Sequence, residues 1–592
     1  MWGRWALSAM ATGMRTAASL RAGVLTRPQE VRRALTVADV LPAPASVLAL
    51  PGVAFTIPDG VRIVTTDEPQ AVRVGAHLAT LIGGSAPRPG DQRPPGGIAL
   101  LVDAAYEPEE YALDIDRDGV SIRASGAAGL FWGVQTLRQL LPVRGPLVVP
   151  GVRIADRPRF GYRGVMLDVA RHFFDVATVQ RIIDLASRYK LNHLHLHLSD
   201  DQGWRIAIDS WPRLATHAGA TEVGGGRGGY YTPRDYAQIV AYAQERFMTV
   251  VPEIDLPGHT NAALAAYPEL AYDCVVPRRY TGTTVGWSAL CPGRELTAKF
   301  LTDVLGEVAA MTPGPYLHVG GDEALTMSAH DYATIVAQAQ QIVAAHGKVP
   351  VGWHELAGAP LGSTTVLQFW GVTPWARRVA EATKAGHRVI MSPADRTYLD
   401  QRHNLASRVG RTWAGPISAE RAYAWDPARY LAGVPESAIL GVEAPLWTEK
   451  VSTVNQIEYL MFPRLASIAE IGWSPLATHD WSAFRHRLGA QAPAWEALGV
   501  HFARVPGVPW VASPSAPALV RQRPGRRSPE VAGPSSDTDQ AADHVPDEVV
   551  GEAERQRGKE PVPPEETGLT EVDAVHRQSH DQHQDRVPGE QA

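Results

Sequence analysis

Cysteine is almost missing from this chain, with two residues in 592. That excludes a disulfide-dense scaffold and a metal cluster built on cysteine alone. Cys274 and Cys291 lie 17 positions apart in a loop-like stretch, so one local disulfide and two unlinked thiols both stay open. Excess positive charge is missing too. The formal net charge is −6, and no basic stripe or Lys/Arg run offers a footprint for nucleic acid. Long apolar runs are absent as well, and none approaches the roughly 18 residues of a membrane-spanning helix. The best candidate, residues 5–14 between Arg4 and Arg15, is short and only mildly apolar, which resembles a poor signal peptide. We expect a soluble chain, secreted or extracellular, with the cytoplasm as the alternative. Oligomeric state is left open.

What is present divides into four regions. Residues 1–35 form an N-terminal segment, either a weak signal or disordered. Residues 36–155 mix strand-like and helical runs and carry no obvious chemistry, which predicts a small α/β domain. Within it, residues 110–125 alternate around Asp118-Gly119, a hairpin signal. Residues 129–141 read as an amphipathic helix stopped by Pro142. Residues 511–592 contain no Phe, Trp, Tyr, Ile or Cys. That composition cannot bury enough apolar surface to offset the entropy of ordering, so a disordered tail is expected.

Residues 156–510 hold the decisive pattern. Short apolar runs recur at 164–169, 191–198, 249–254, 316–319, 349–352, 366–369, 388–391 and 439–442. Each has room for a helix behind it, and residues 176–189 carry apolar side chains at helical spacing. Eight such alternations predict an α/β fold, a (β/α)8 TIM barrel, and 45% hydrophobic residues can fill its core. The run ends carry Asp168 and Arg171; Asp200; Asp255 and His259; Asp322 and Glu323; Trp353; Trp370; Tyr398 and Asp400; Trp447 and Glu449. Loops after the strands of such a barrel converge on one face. Residues scattered over about 280 positions are therefore expected to share one pocket.

The sharpest signal is the segment from Tyr316 to Glu323, a strand followed by Gly320-Gly321 and then two adjacent acids. Adjacent residues in extended chain point opposite ways, so the two acids can share a target only if the glycines bend the backbone. The competing reading is two solvated acids at the start of the next helix. Trp353, Trp370, Trp413 and Trp447 all fall at or just after expected strand ends, with Tyr398 nearby, and favour the first reading. Aromatic faces stack on the C–H faces of sugars, while carboxylates and arginine take the hydroxyls.

Six stretches resemble family 20 glycoside hydrolases over about residues 150–510. They are Leu167-Asp-Val-Ala-Arg171-His-Phe-Phe, His193-Leu-His-Leu-His-Leu-Ser-Asp200-Asp-Gln-Gly-Trp204-Arg, Val251-Pro-Glu-Ile-Asp-Leu-Pro-Gly-His259, His318-Val-Gly-Gly-Asp322-Glu323, Gly352-Trp353-His-Glu-Leu and Glu443-Ala-Pro-Leu-Trp447-Thr-Glu449. The resemblance implies an exo-acting, retaining β-N-acetylhexosaminidase with no cofactor and no metal. It implies that Asp322 binds the acetamido N–H and that Glu323 protonates the glycosidic oxygen. The nucleophile would be the substrate's own acetamido oxygen, through an oxazolinium intermediate. Arg171 and Glu449 would grip ring hydroxyls, with Asp400 nearer the 6-hydroxyl. Tyr398 would bond the acetamido oxygen. Trp353, Trp370 and Trp447 would form an apolar box, with Trp413 also contacting substrate. His259 and Asp200 would act from behind Glu323. The partner implied is an oligosaccharide or glycoconjugate ending in β-linked N-acetylglucosamine or N-acetylgalactosamine, as chitin fragments, cell-wall pieces and glycans do.

Two rivals remain. His193, His195 and His197 alternate along one strand and so share a face, and with Asp200, Asp255 and His259 they suggest a metal-dependent barrel hydrolase. That leaves the tryptophans and the Gly-Gly-Asp-Glu turn unexplained. A non-catalytic sugar-binding protein leaves the intact acid pair unexplained. For single residues, Arg171 could instead be a salt-bridge partner of Asp168, and His259 a buried, hydrogen-bonded histidine.

Overall fold

The computed structural model describes residues 36–272, 277–372 and 377–512. The expectations for residues 1–35, for the tail beyond 512 and for Cys274 fall outside the described residues. Among the described residues no helix is long and apolar enough to cross a membrane.

The chain first builds a sheet of β1 (Ser46–Thr56), β2 (Ile63–Thr65), β3 (Arg88–Pro89), β4 (Gly97–Val102), β5 (Tyr111–Asp116), β6 (Gly119–Ala124) and β7 (Val148–Asp156), in the order β1-β7-β5-β6-β4-β2-β3. The hairpin expected at Asp118-Gly119 is the antiparallel pair β5–β6, with Asp116 opposite Gly119. The helix expected next runs Ala127–Leu140, but it is buried almost all round rather than amphipathic. The sheet covers one side of it. Helix Pro69–Ile82 and the barrel's Trp473, whose ring is 6.2 Å from that of Trp132, cover much of the rest. The two bodies are also tied by a buried polar cluster. Asp156 accepts from Lys190 Nζ at 2.8 Å, Tyr111 Oη at 2.7 Å and Trp473 Nε1 at 3.0 Å. A buried carboxylate is tolerated only when paired in this way.

All eight runs read as barrel strands in the sequence are strands of one closed parallel barrel. They are β8 (Tyr162–Asp168), β9 (His193–His197), β12 (Thr249–Leu256), β13 (Tyr316–Gly320), β14 (Val349–Trp353), β15 (Val366–Phe369), β16 (Arg388–Met391) and β17 (Ile439–Leu446). A two-residue hairpin, β10 (Ser199–Asp200) with β11 (Gly203–Trp204), follows β9 directly. β17 pairs with β8 from Gly441–Tyr162 to Leu446–Leu167, which closes the ring. Tyr162, Val251, Val351, Val366 and Ile390 plug its N-terminal end. The C-terminal end is polar, and there the candidate residues gather.

Candidate active site

The turn after β13 explains how two adjacent acids come to share a target. Gly320 and Gly321 adopt φ +67° and +103°. A Cβ on Gly320 would stand 1.7 Å from Asp255 Oδ1, and one on Gly321 would stand 1.9 Å from Leu356 Cδ1. No other residue fits either position. Gly321 N–H donates to Asp255 Oδ1 at 3.2 Å, and Gly321 O accepts from Tyr332 Oη at 2.7 Å, which pins the bend. Glu323 itself sits at φ +45°, and His259 at +53°. Positive φ is costly for a residue with a side chain and tends to cluster at functional sites. These two strained residues face each other: His259 Nε2 lies 3.4 Å from Glu323 Oε2 and 3.6 Å from Asp322 Oδ2. The helix-start reading fails, because Asp322 is buried and helix Ala329–Ala345 is capped by Ser328.

Behind His259 runs a chain of charge. Its Nδ1 is 3.2 Å from Asp200 Oδ1, and Asp200 Oδ2 is 2.7 Å from both His197 Nε2 and an Arg171 guanidinium nitrogen. Burial alone would neutralise His259, but the carboxylates of Asp200, Asp322 and Asp255 hold its pKa well above the usual histidine range. Burial likewise opposes ionisation of Asp200, yet Arg171 and His259 hold its carboxyl far below the usual value. Burial raises Asp322 to about 7, with Glu355 and Glu323 adding to the rise against the pull of His259. Arg171 also lies 3.5 Å from Asp168, the salt bridge of the competing reading. Asp168 accepts from the N–H groups of Ala170, Arg171 and Thr448 and so fixes the two loops.

The aromatic side chains form a connected wall. Ring centroids are 5.8 Å apart for Trp353 and Trp447, 6.3 Å for Trp447 and Tyr398, 5.9 Å for Tyr398 and Trp413, and 6.0 Å for Trp413 and Trp370. Trp413 reaches this wall from the long loop between β16 and β17. The Arg171 guanidinium lies 4.8 Å from the Trp447 ring centre. Trp353 Nε1 donates to Glu253 at 2.9 Å, and Trp370 Nε1 to both oxygens of Glu355 at 3.0 and 3.1 Å. Glu449 Oε1 takes Arg411 at 3.1 Å. Asp400, raised to about 7 by burial and by Glu449, takes Gln401 at 2.8 Å.

The buried carboxylate oxygens with no hydrogen-bond partner among the described residues include Asp322 Oδ1, Asp400 Oδ1 and Glu449 Oε2. A buried acceptor left unpaired costs roughly 1–3 kcal/mol. Three in one pocket walled by aromatic rings therefore call for a ligand dense in O–H and N–H donors that also presents apolar faces. A sugar has that surface.

The histidines of the strand are paired chiefly with buried carboxylates. His193 stacks on Tyr162 at 3.9 Å and bonds Asn192, at the far end of the barrel. His195 lies 2.9 Å from Glu443 and 3.1 Å from Glu253, and His197 bridges Glu253 and Asp200. His195, His318 and Glu253 converge closely enough to ligate an ion, and so do Asp200, Asp255 and His259, which the metal reading named. Burial would lower the His195 pKa, but Glu443 and Glu253 raise it to about 9. These side chains form a buried polar cluster beneath the site.

The description of the glycosyl hydrolase family 20 catalytic domain matches residues 160–476, and that of the same family's domain 2 matches residues 37–157. The chain belongs to glycosyl hydrolase family 20. It is 40% identical over 487 residues to the beta-N-acetylhexosaminidase of Cellulomonas fimi, spanning 81% of this chain and 98% of that one. The family 20 beta-N-acetylhexosaminidase structure from Streptomyces coelicolor A3(2) matches with TM-score 0.78 at 50% identity, over 81% of this chain and 99% of that one. The Streptomyces plicatus N-acetyl-beta-hexosaminidase, solved with Thio-NAglucal, matches with TM-score 0.78 at 51% identity, over 82% and 100%.

Glu355 and Glu253 are among the charged residues of this family 20 site that the sequence did not single out. Glu355 lies in the quoted Gly352–Leu356 stretch, and its place two residues beyond the strand-end Trp353 was the available signal. Burial raises its carboxyl to about 7. Glu253 sits inside β12, two residues before Asp255, and belongs to the buried polar core of the barrel.

Proposed function

We propose that Asp322, Glu323 and the 2-acetamido group of the bound sugar share out the chemistry of this enzyme. It is an exo-acting, retaining β-N-acetylhexosaminidase that removes terminal β-linked N-acetylhexosamine from non-reducing ends. The observation that carries the assignment is the pair of acids turned toward one imidazole, with Asp322 Oδ1 buried and unpaired. Most retaining glycosidases use a second carboxylate as nucleophile, whereas family 20 uses the substrate's own acetamide. The acetamido oxygen attacks C1 while the C1–O bond to the leaving group breaks and Glu323 protonates the departing oxygen. Asp322 accepts the acetamido N–H and offsets the positive charge of the oxazolinium. Water then attacks C1, Glu323 takes its proton, and the acetamide is released with retention.

In this reading His259, held cationic by Asp200, fixes both carboxylates. Arg171, Asp400 and Glu449 take ring hydroxyls, and Tyr398 bonds the acetamido oxygen. Trp353, Trp370, Trp413 and Trp447 supply the apolar wall. N-acetylglucosamine and N-acetylgalactosamine differ in one hydroxyl orientation, and we propose that both are accepted. Incubation with defined β-linked oligosaccharides under prolonged chelation should release single N-acetylhexosamines, one end residue at a time. Internal cleavage would sink the exo reading, and activity lost to chelator and restored by zinc would promote the histidine-strand rival.

Glu355 is the residue to test for tuning. Glu355→Gln keeps an acceptor for Trp370 but removes a charge that raises Asp322. Asp322 should then ionise at lower pH, so the acid limb of the kcat/KM profile is expected to move down, with neutral-pH activity within about tenfold of wild type. A limb that stays in place would show that Glu355 only holds Trp370.

A further inference from the structure

A cavity of about 590 Å³ lies at the N-terminal mouth of the barrel, opposite the site that carries Asp322 and Glu323. Tyr162, His193, Tyr316, Arg388 and Ile439 line it, and each is the first residue of its strand. Tyr162 and Tyr316 also belong to the apolar plug, so the plug forms part of the cavity floor. Three rings meet there. Tyr162 stacks on His193 with centroids 3.9 Å apart, and Tyr316 stands edge-on to Tyr162 at 6.0 Å. His193 is a fixed acceptor. Asn192 Oδ1 accepts from Arg163 N–H at 2.9 Å and lies 2.7 Å from His193 Nδ1, while Asn192 Nδ2 donates to Gly161 O at 2.8 Å. An amide oxygen only accepts, so His193 Nδ1 carries the hydrogen and Nε2 keeps its lone pair. Burial and the Arg163 guanidinium lower the His193 pKa to about 3, which keeps the ring neutral. Across the mouth, Arg388 is exposed, with Nε 3.4 Å from Ala438 O and no ion pair among the described residues. The other guanidinium in the wall, Arg159, is already paired with Asp426 at 2.7 Å and Glu436 at 2.8 Å.

We infer that this cavity binds a small aromatic hydroxy acid, with its carboxylate on Arg388, its ring against Tyr162 and Tyr316, and its hydroxyl donating to His193 Nε2. A planar guanidinium without a carboxylate matches a carboxylate fork. Aromatic walls with a few placed polar groups are the usual make-up of a small-molecule site. A rigid ring that carries both polar groups loses little freedom on binding. The inference is independent of the hydrolytic reading, because none of these side chains lies in the site at the other end of the barrel.

The test is calorimetric titration of the full chain with 3-hydroxybenzoate and 4-hydroxybenzoate, each compared with benzoate and phenol. The better isomer should bind once per chain with a Kd at or below about 1 mM. Benzoate and phenol each lack one of the two polar contacts and should bind about tenfold more weakly, or worse. Arg388→Gln, at an exposed position, should weaken the hydroxy acid at least about tenfold while hydrolysis of an aryl N-acetyl-β-glucosaminide stays at the wild-type rate. His193→Phe keeps a ring against Tyr162 and removes the acceptor, so the hydroxy acid should fall to the affinity of benzoate. An unfolding midpoint near that of wild type checks this buried variant, and Arg388→Gln decides the matter if it fails to fold. The inference is overturned if neither isomer binds saturably, or if benzoate binds as tightly as the better isomer. Binding that Arg388→Gln leaves unchanged overturns it too, as does a parallel loss of binding and hydrolysis in that variant.

Discussion

Glu323→Gln is expected to lose about 10³-fold in kcat/KM on N,N′-diacetylchitobiose, within the range that removal of a general acid produces. A sugar alkoxide is a poor leaving group and departs only if protonated as the C1–O bond breaks. An aryl glycoside with an acidic phenol needs little such help, so its kcat/KM should fall far less. Its kcat should still drop, because in the proposed mechanism Glu323 is also the base that activates water against the oxazolinium, and that second step becomes limiting. Glutamine matches glutamate in size, and the Glu323 side chain is about one-third exposed, so the fold should survive. Rates on a series of aryl glycosides against leaving-group pKa give the measurement. A slope no steeper than that of wild type would remove Glu323 from the acid role.

Asp322→Asn should lower turnover by about 100-fold or more, the scale of losing one preorganised electrostatic contact in the transition state. The same change should affect stability with the opposite sign. Burial raises the Asp322 carboxyl to about 7 in the folded protein, while in the unfolded chain it ionises near 4. Between those values the folded state holds a proton that the unfolded state has released. The stability associated with Asp322 is therefore full below about pH 4 and is lost as pH rises through about 7, by up to about 1.4 kcal/mol per pH unit. Asparagine does not titrate. The variant should unfold at a higher temperature than wild type at pH 7.5, and that advantage should vanish near pH 4. A variant that is less stable at pH 7.5 would mean that the carboxylate is favourably solvated in place.

The barrel was legible because its strands are buried on both faces and so read as short apolar runs with polar ends, from Asp168 to Glu449. The acid pair was legible because Gly320 and Gly321 announce a bend that no other residues could make. Glu253, His195, His197 and Glu443 were harder, because a polar core inside a barrel breaks the apolar pattern that strands are recognised by. Their pairing partners lie on other strands, up to about 250 positions away. Helix Ala127–Leu140 misled for a related reason. Local periodicity reports one partner surface, whereas its second cover includes Trp473, more than 330 residues later. Trp413 does not lie at a strand end as its sequence position suggests; it sits within the long connection between Met391 and Ile439, which tertiary contacts place.

The central claim is that the nucleophile belongs to the substrate. Turnover of matched aryl β-glucoside and aryl N-acetyl-β-glucosaminide tests it most directly, because replacing the acetamide with hydroxyl removes the nucleophile itself. An intramolecular nucleophile held in attacking geometry is worth many orders of magnitude in effective concentration. The glucosaminide should therefore be hydrolysed at least about 10³-fold faster in kcat/KM. Comparable rates on the two would mean that a carboxylate of the protein attacks C1, and the roles given to Asp322 and the acetamide would both be wrong.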